Sequence, residues 1–270
     1  MGGNFEEEDE KKNERRCQDY NKIFLPSERA ISHSGPMQNP IIVALDVPRV
    51  ETALELAEQL APVVGAFKIG SELFTAAGPE VIRQIRGTSA RIFLDLKYHD
   101  IPNTVAKAVA SATRLDVQML TIHTSGGLEM MKAAQASGEE TARELGRPTP
   151  LVLGVTVLTS LTGENLEEIG FQPDAEKQVK RLASLAVRAG LRGLVCSPLE
   201  LQMLRQLLPR EMQLVTPGIR GPGDWAGDQK RTLSAKEALT AGANWLVIGR
   251  PICQAENPRA AAETILSSLG

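Results

Sequence analysis

The sequence predicts an α/β protein folded as a single-domain, closed (β/α)₈ barrel, the TIM-barrel architecture. From residue 40 onward, short runs of β-branched and aliphatic residues alternate with longer amphipathic segments. The alternation gives eight strand-plus-helix units, which is the number that closes such a barrel. A doubly wound open sheet is the alternative, but no G-x-G-x-x-G follows the first predicted strand, so its dinucleotide signature is missing.

The elements follow from the spacing of apolar residues along the chain. Apolar runs bounded by Gly, Pro or polar residues predict strands at 41–46, 66–69, 91–97, 117–123, 151–158, 193–196, 213–216 and 245–248. Apolar residues at helical spacing predict helices at 50–61, 77–86, 103–114, 126–145, 175–189, 198–208, 234–241 and 257–268. Pro102 precedes the third helix, where the first turn tolerates its missing N–H.

The first 39 residues differ from the rest of the chain. A dense charge run at 6–12 is followed by Ser, Gly, Pro and Asn with little apolar periodicity. This composition favours a charged, flexible extension over a folded unit, with a regulatory arm as the alternative. We therefore expect an extension at 1–39 and a barrel at 40–270.

Composition limits the functional class. The 270 residues are 42% hydrophobic with a formal net charge of −3, and no basic stretch follows the first forty, so neither nucleic acid nor an anionic membrane is an expected partner. No run of eighteen apolar residues and no basic-then-apolar N-terminus occurs, so no membrane span or secretory signal is expected. Cys17, Cys196 and Cys253 lack metal-site or disulfide spacing, which fits a reducing cytoplasm.

Polar residues concentrate at the predicted C-terminal strand ends, where barrels of this type place their chemistry. Strand 1 ends in Asp46, strand 2 carries Lys68, strand 3 carries Asp95 and Lys97, and strand 4 ends in His123. Asp95 and Lys97 are two apart and therefore share one side of their strand. Each lysine can offset an acid, and such an alternating charge network suits proton transfer.

Each residue also has a purely structural interpretation. Lys68 could extend from an apolar strand to water, Asp46 could cap a turn, and Asp95 with Lys97 could form a structural ion pair. His123 is more readily interpreted as a structural histidine than as a base. Their location at the same end of successive strands favours a functional site, because unrelated polar residues would occur at both ends.

The ends of strands 7 and 8 predict a phosphate site. Barrels often bind phosphate in the loops after these two strands, and here Arg220, Gly249 and Arg250 stand there. The long glycine-rich loop 218–229 is interpreted as a lid over a ligand, with a mobile surface loop as the alternative.

Eight motifs together resemble the orotidine 5′-phosphate decarboxylase family of the bacterial type. In order, they are ALD (44–46), FKIG (67–70), FLDLKYHDIPNT (93–104), VLTS (157–160), VCS (195–197), TPGIR (216–220), GDQ (227–229) and VIGR (247–250). The resemblance covers residues 40–268. Tyr98 departs from the more familiar Leu or Phe, and the extension lies outside the usual pattern.

The resemblance implies conversion of orotidine 5′-monophosphate to uridine 5′-monophosphate (UMP) and CO₂ without a metal or organic cofactor. Lys97, flanked by Asp95 and Asp100, would stabilise a carbanion at C6 and protonate it. Lys68 would complete the catalytic array, and with Asp46 it would hold the ribose hydroxyls.

The remaining implied roles concern binding and assembly. Thr159 would contact the pyrimidine, and the phosphate would be held by Arg220, Gln229, Gly249 and Arg250. A homodimer with shared active sites is implied, in which Asp100, Ile101 and Thr104 reach into the neighbouring site.

The same residues also allow three other interpretations. A sister barrel with an Asp-x-Lys-x-x-Asp motif decarboxylates keto-sugar phosphates with Mg²⁺, but it would need a metal-binding acid where strand 2 offers a lysine. A phosphate-ligand-binding barrel without catalysis would not require Lys97 between two acids. The charge array could also be a plain stabilising network.

Overall fold

A computed structural model describes residues 39–220 and 232–270. In this part of the chain, eight parallel strands form a closed barrel in sequence order, and β8 pairs back to β1. The predicted (β/α)₈ barrel is therefore confirmed. The predicted extension, apart from residue 39, and residues 221–231 of the predicted lid lie outside the described residues.

The strands and helices alternate around the barrel. The strands are β1 Ile41–Ala44, β2 Ala66–Gly70, β3 Ile92–Tyr98, β4 Met119–His123, β5 Leu151–Val155, β6 Gly193–Val195, β7 Gln213–Thr216 and β8 Trp245–Ile248. The helices are α1 Val50–Leu60, α2 Ser71–Ala77, α3 Glu80–Arg86, α4 Pro102–Arg114, α5 Leu128–Glu144, α6 Gly163–Glu168, α7 Ala175–Arg188, α8 Leu201–Leu207, α9 Ala235–Thr240, α10 Arg250–Cys253 and α11 Pro258–Ser267. Short 3₁₀ turns occupy Thr124–Gly126 and Pro198–Glu200.

Some predicted boundaries are wrong. The helix predicted at 77–86 begins three residues later, as α3 at Glu80, because Gly78 takes a φ of +65° that ends the preceding helix α2 and Pro79 precedes α3. β1 ends at Ala44 and β5 at Val155, so both strands are shorter than predicted. The short helices α2, α6 and α10 were not predicted, since none is long enough to show a clear helical period.

The barrel interior is filled by side chains from alternate strand positions. They are Ile42, Ala44, Ala66, Phe93, Met119, Leu153, Val215, Trp245 and Val247. A larger apolar layer separates the strands from the helices. Two residues further along four of these strands the side chains are polar: Asp46, Lys68, Asp95 and Thr121. Because side chains alternate along a strand, these four lie above the apolar interior at the C-terminal mouth.

Local signals fix where several helices begin. Pro102 is the first residue of α4, as its position in the sequence predicts. The Asp174 side chain accepts the Lys177 N–H ahead of α7, and Asn257 accepts the Ala260 N–H ahead of α11. Across the described residues, no helix is both long and apolar enough to cross a membrane.

Candidate active site

The Asp95 carboxylate is the centre of a hydrogen-bonded charge network at the mouth. Its two oxygens each lie 2.9 Å from the Lys97 ammonium nitrogen. The Thr121 hydroxyl lies 2.9 Å from Oδ1 of Asp95, and the Lys68 ammonium nitrogen lies 3.9 Å from Oδ2. Two hydrogen-bond donors, Lys97 and Thr121, and the nearby Lys68 ammonium therefore surround a side chain that is 13% exposed, which compensates for its loss of hydration.

Lys68 links this carboxylate to Asp46. The Lys68 ammonium nitrogen lies 2.8 Å from Oδ1 of Asp46, and its side chain is 11% exposed against 56% for Asp46. A buried ammonium needs such partners, because an isolated charge away from water is costly. The structure thus brings Asp46, Lys68, Asp95 and Lys97 into one network of two acids and two lysines, as the strand-end pattern predicts.

The two lysines differ in their access to solvent. The Lys97 side chain is 34% exposed, about three times the exposed fraction of Lys68. Both lysines contact Asp95, but only Lys97 is substantially open to the mouth. Lys97 is therefore the cation of the network best able to meet a bound molecule.

The backbone at Lys97 departs from a regular strand. Its φ is +51°, in the left-handed region that non-glycine residues rarely adopt. The pairing of β3 with β4 shifts register here, between Leu94 and Tyr98. The Lys97 N–H donates to the Thr121 hydroxyl at 2.8 Å. Residues in this region cost about 1–3 kcal/mol and persist only where the surroundings hold them.

Two residues of the site were missed from the sequence. Thr121 faces the mouth between Met119 and His123, and this alternation along β4 was the signal that could have found it. Gly70 ends β2, and a Cβ there would lie 3.0 Å from the Lys68 ammonium nitrogen and 3.2 Å from Oδ1 of Asp46. The absence of a side chain at Gly70 leaves room for this ion pair.

His123 lies at the end of β4 beside a second histidine. The ring centres of His123 and His99 are 5.4 Å apart. Burial lowers the pKa of His123 below 6.5, and the nearby His99 and Lys97 lower it further, while Asp95 opposes them. The imidazole is therefore neutral at pH 7, which agrees with its interpretation as a structural residue.

Asp100, Ile101 and Thr104 stand apart from the network within this chain. All three are exposed, and the Ile101 side chain is among the large apolar residues left open, at 66%. The Asp100 carboxylate accepts the Ile101 N–H at 2.6 Å. Among the described residues of this chain, Asp95 alone forms an ion pair with Lys97. The expectation that Asp100, Ile101 and Thr104 reach into a neighbouring site concerns a second chain, so it stays a prediction.

The other predicted site residues follow β5, β7 and β8. Thr159 is half-buried in the loop after β5, and Arg220 and Arg250 are half-buried at the ends of β7 and β8. Gly249 immediately precedes α10, where Arg250 is the first residue. Because β7 and β8 pair side by side, Arg220 and Arg250 leave neighbouring strands. Gln229 lies outside the described residues.

Cysteine and metal-ligating residues form no cluster in the described part of the chain. Cys196 and Cys253 are free thiols. Burial raises the pKa of Cys196 to about 12 and that of Cys253 to about 11, so both are protonated at neutral pH. Within 39–220 and 232–270, no group of three His, Cys, Asp or Glu side chains is placed to hold a metal ion.

Comparison with known proteins identifies the family of this chain. The profile of the orotidine 5′-phosphate decarboxylase / HUMPS family matches residues 39–265. An orotidine 5′-phosphate decarboxylase of Moorella thermoacetica is 48% identical over 233 residues, covering 86% of this chain and 92% of that protein. One from Opitutus terrae is 51% identical over 229 residues, covering 85% of this chain and 97% of that protein.

The chain belongs to the orotidine 5′-phosphate decarboxylase / HUMPS family. Its fold is also similar to the crystal structure of orotidine 5′-phosphate decarboxylase from Lactobacillus acidophilus, with a TM-score of 0.77 and 35% identity, covering 86% of this chain and 99% of that one. The resemblance inferred from the eight motifs is therefore confirmed.

Tyr98, which the sequence analysis singled out within the FLDLKYHDIPNT motif, stays outside the charge network. It ends β3 and packs against the apolar layer outside the barrel. Burial raises the pKa of its hydroxyl above 10.0. Tyr98 therefore takes no part in the network around Asp95.

Proposed function

We infer that this protein decarboxylates orotidine 5′-monophosphate to UMP and CO₂, the last step of de novo UMP biosynthesis. The observation that carries the inference is the Asp46–Lys68–Asp95–Lys97 network at the barrel mouth. The relatives named orotidine 5′-phosphate decarboxylase support it across most of the chain.

The reaction breaks the bond between C6 of the pyrimidine and its carboxylate. The electron pair stays on C6 in an orbital that the ring cannot delocalise, so fixed charges must stabilise it. We assign this role to the Lys97 ammonium, which then transfers a proton to C6 and is later reprotonated from water. Lys97 is suited to this because it is the more exposed lysine of the network and is held by both oxygens of Asp95.

Asp95 is assigned a position beside the departing carboxylate. The pairing with Lys97 and the hydrogen bond from Thr121 keep its charge in place before the substrate enters. A preorganised charge of this kind costs no rearrangement during the reaction. The proposed chemistry uses no metal or organic cofactor.

Asp46 and Lys68 are assigned to the ribose hydroxyls. The more exposed Asp46 carboxylate accepts from Lys68 and keeps a free side toward the mouth. Lys68 also lies between Asp46 and Asp95, so ribose binding and the reacting carboxylate share one network. Thr159, which follows β5, is assigned to the pyrimidine.

The phosphate group is assigned to Arg220, Gln229, Gly249 and Arg250. Arg220 and Arg250 extend from neighbouring strands, and a guanidinium donates to phosphate oxygens in a forked geometry. Binding the phosphate far from C6 would contribute to catalysis by holding the reacting ring against Lys97. The required barrier reduction can reach about 23 kcal/mol, more than one ammonium supplies.

A homodimer with shared active sites is the proposed working form. Ile101 is 66% exposed beside two polar residues, Asp100 and Thr104, at the start of α4. A single exposed apolar residue is common on protein surfaces, so the dimer proposal rests on the family resemblance, with which this exposure is compatible. In the proposed dimer, Asp100 of one chain approaches the Lys97 of the other, a contact that it does not make within its own chain.

The setting follows from the proposed chemistry. Substrate and product are small nucleotides, and neither nucleic acid nor a membrane is a proposed partner of this chain with its net charge of −3. We place the enzyme in the cytoplasm, in keeping with cysteine spacing that offers no disulfide framework.

The Mg²⁺-dependent keto-sugar-phosphate decarboxylase is the alternative that remains closest in architecture. The position two residues beyond the inward Ala66 carries Lys68, a cation paired to two acids, where such an enzyme would need a metal-binding acid. A barrel that only binds phosphate ligands would gain nothing from a lysine held between acids. We therefore favour orotidine 5′-monophosphate as the substrate.

Ultraviolet absorbance provides the test. Purified protein is mixed with orotidine 5′-monophosphate in the presence of EDTA, and loss of the orotate chromophore is expected. If absorbance stays constant while the protein is dimeric, the inference is wrong, and keto-sugar phosphates with Mg²⁺ then test the alternative directly.

A further inference from the structure

Thr121 on β4 contacts both partners of the central ion pair through one hydroxyl group. Its oxygen accepts the Lys97 N–H at 2.8 Å, and it donates to Oδ1 of Asp95 at 2.9 Å. The residue is fully buried, at 0% exposure. None of the eight sequence motifs includes it.

The direction of these two hydrogen bonds is fixed by chemistry. A backbone N–H can only donate, so the hydroxyl must act as acceptor toward Lys97. A hydroxyl carries one proton, and an ionised carboxylate can only accept. The proton of Thr121 is therefore aimed at Asp95, and both contacts form at the same time without competing.

The strand pairing explains why a side chain is needed at this point. β3 and β4 are in register at Leu94 and Leu120, and they pair again at Tyr98 and Ile122. Four steps along β3 thus match two steps along β4. This irregularity carries Lys97 into its left-handed conformation and takes its N–H out of the regular backbone ladder. The Thr121 hydroxyl satisfies a donor that the sheet leaves unpaired.

We propose that Thr121 is a positioning residue that locks the Asp95 carboxylate and the Lys97 backbone in their reactive arrangement. It does so without touching the substrate. The inference rests on the proposed function, since the arrangement matters only if Lys97 and Asp95 act on orotidine 5′-monophosphate. Without the hydroxyl, the carboxylate loses one of the two residues that donate hydrogen bonds to it, and the Lys97 N–H loses the acceptor that holds its strained backbone.

The decisive variants are T121V and T121S. Valine keeps the branched shape and removes the hydroxyl, whereas serine keeps the hydroxyl and removes a methyl group. We expect T121V to lower kcat by about 10²-fold with KM within about fivefold, as a displacement near 1 Å can do. We expect T121S to keep kcat within about tenfold of the wild type.

A matched control separates positioning from general stability. Thr113 is also buried, and its hydroxyl donates to the Val109 carbonyl within α4. T113V removes a buried hydroxyl of the same kind far from the charge network, so its kcat should stay at the wild-type value. Thermal unfolding of each variant shows that the protein measured is folded. If T121V does not fold, T121C takes its place, because a thiol is a weak donor and acceptor.

A double-mutant cycle with K97A tests how Thr121 acts. If Thr121 works through Lys97 and Asp95, T121V should cause little further loss of kcat in the K97A background. Wild-type kcat in folded T121V, or in T121C where T121V fails to fold, would overturn the proposal. A further loss of about 10²-fold in kcat when T121V is added to K97A would also overturn it. Failure of the wild type itself to turn over orotidine 5′-monophosphate would instead count against the proposed function.

Discussion

The ammonium nitrogen of Lys97 lies 2.9 Å from both carboxylate oxygens of Asp95, although the two residues are only two apart on β3. A regular strand would point both side chains the same way without bringing the lysine back over the acid. The φ of +51° at Lys97 turns the backbone so that the ion pair forms. The strained conformation and the charge pair are thus parts of one feature.

Replacing Lys97 with alanine should remove turnover while leaving the fold intact. The variant lacks both the charge that stabilises the carbanion and the proton donor, so we expect kcat to fall by at least about 10⁴-fold. Binding of UMP, measured by calorimetry, should remain within about tenfold of the wild type. K236A, at an exposed position on α9, is the matched control and should retain full activity. Near-normal turnover in K97A would remove the proton-donor assignment.

Replacing Lys68 with methionine should lower stability as well as activity. The variant leaves Asp46 and Asp95 without their shared cation. Breaking a fully buried ion pair typically lowers the free energy of unfolding by about 3–5 kcal/mol. Because Asp46 is 56% exposed, we expect a smaller decrease of about 2 kcal/mol, measured by urea unfolding. K132M removes an exposed lysine paired with Glu129 and should change the free energy of unfolding by less than about 1 kcal/mol. Equal effects of the two variants would show that the ion pairs of Lys68 stabilise the protein no more than an exposed ion pair does.

Replacing Gly70 with alanine should disturb the Asp46–Lys68 pair. The added methyl group would lie 3.0 Å from the Lys68 nitrogen, so the ammonium must shift. We expect kcat/KM to fall by about tenfold or more, since small displacements at a charged site are costly. G138A, where a Cβ would meet Val109 at an ordinary 3.4 Å, is the control and should keep its activity. Unchanged kinetics in G70A would mean that the pair tolerates displacement.

His123 should make stability depend on pH below neutrality. Its pKa in the folded protein lies below the ordinary 6.5, so the unfolded chain takes up a proton more readily as the pH falls. Its contribution to stability is therefore complete above pH 6.5 and is lost as the pH falls toward the lowered folded value. H123N should show a shallower decline of unfolding free energy below pH 6.5 than the wild type. Identical pH curves for the two proteins would contradict this account.

Replacing Ile101 with aspartate should break the proposed dimer. The side chain is 66% exposed in the single chain, so the fold should survive the change. A charge at an apolar interface should shift the protein toward monomer in analytical ultracentrifugation and abolish turnover at low protein concentration. L199D, at an exposed leucine elsewhere on the surface with 63% exposure, is the control and should remain dimeric. A fully active monomer would show that the site is complete within one chain.

Much of the site could be predicted from the sequence because two repeating patterns, the alternation of side chains along a strand and the tandem βα units, determine it. The alternation along each strand places Asp46, Lys68 and Asp95 above the apolar interior, and tandem βα units place all strand ends at one mouth. Neither inference needs knowledge of the packing. The charge network could therefore be predicted from residue types and spacing.

The features that could not be predicted depend on how neighbouring strands pair. The role of Thr121 arises from the register shift between β3 and β4, and the left-handed Lys97 arises from the same shift. Neither can be read from β3 alone. The role of Asp100 could not be worked out from β3 either, because the resemblance places it in the site of a second chain, and within its own chain Asp100 is exposed and accepts the Ile101 N–H. In contrast, the Gly78-Pro79 break between α2 and α3 was visible in the sequence as an ordinary helix stop.

The most direct test of the account is release of labelled CO₂ from orotidine 5′-monophosphate carrying ¹⁴C in its carboxylate. The wild type and K97A are both dialysed against EDTA, brought to the same dimer concentration and compared side by side. We expect one CO₂ released for each UMP formed by the wild type, and at least about 10⁴-fold slower release by K97A. Equal release by both proteins, or release that requires added metal, would contradict the claim that the Asp95–Lys97 pair performs the reaction.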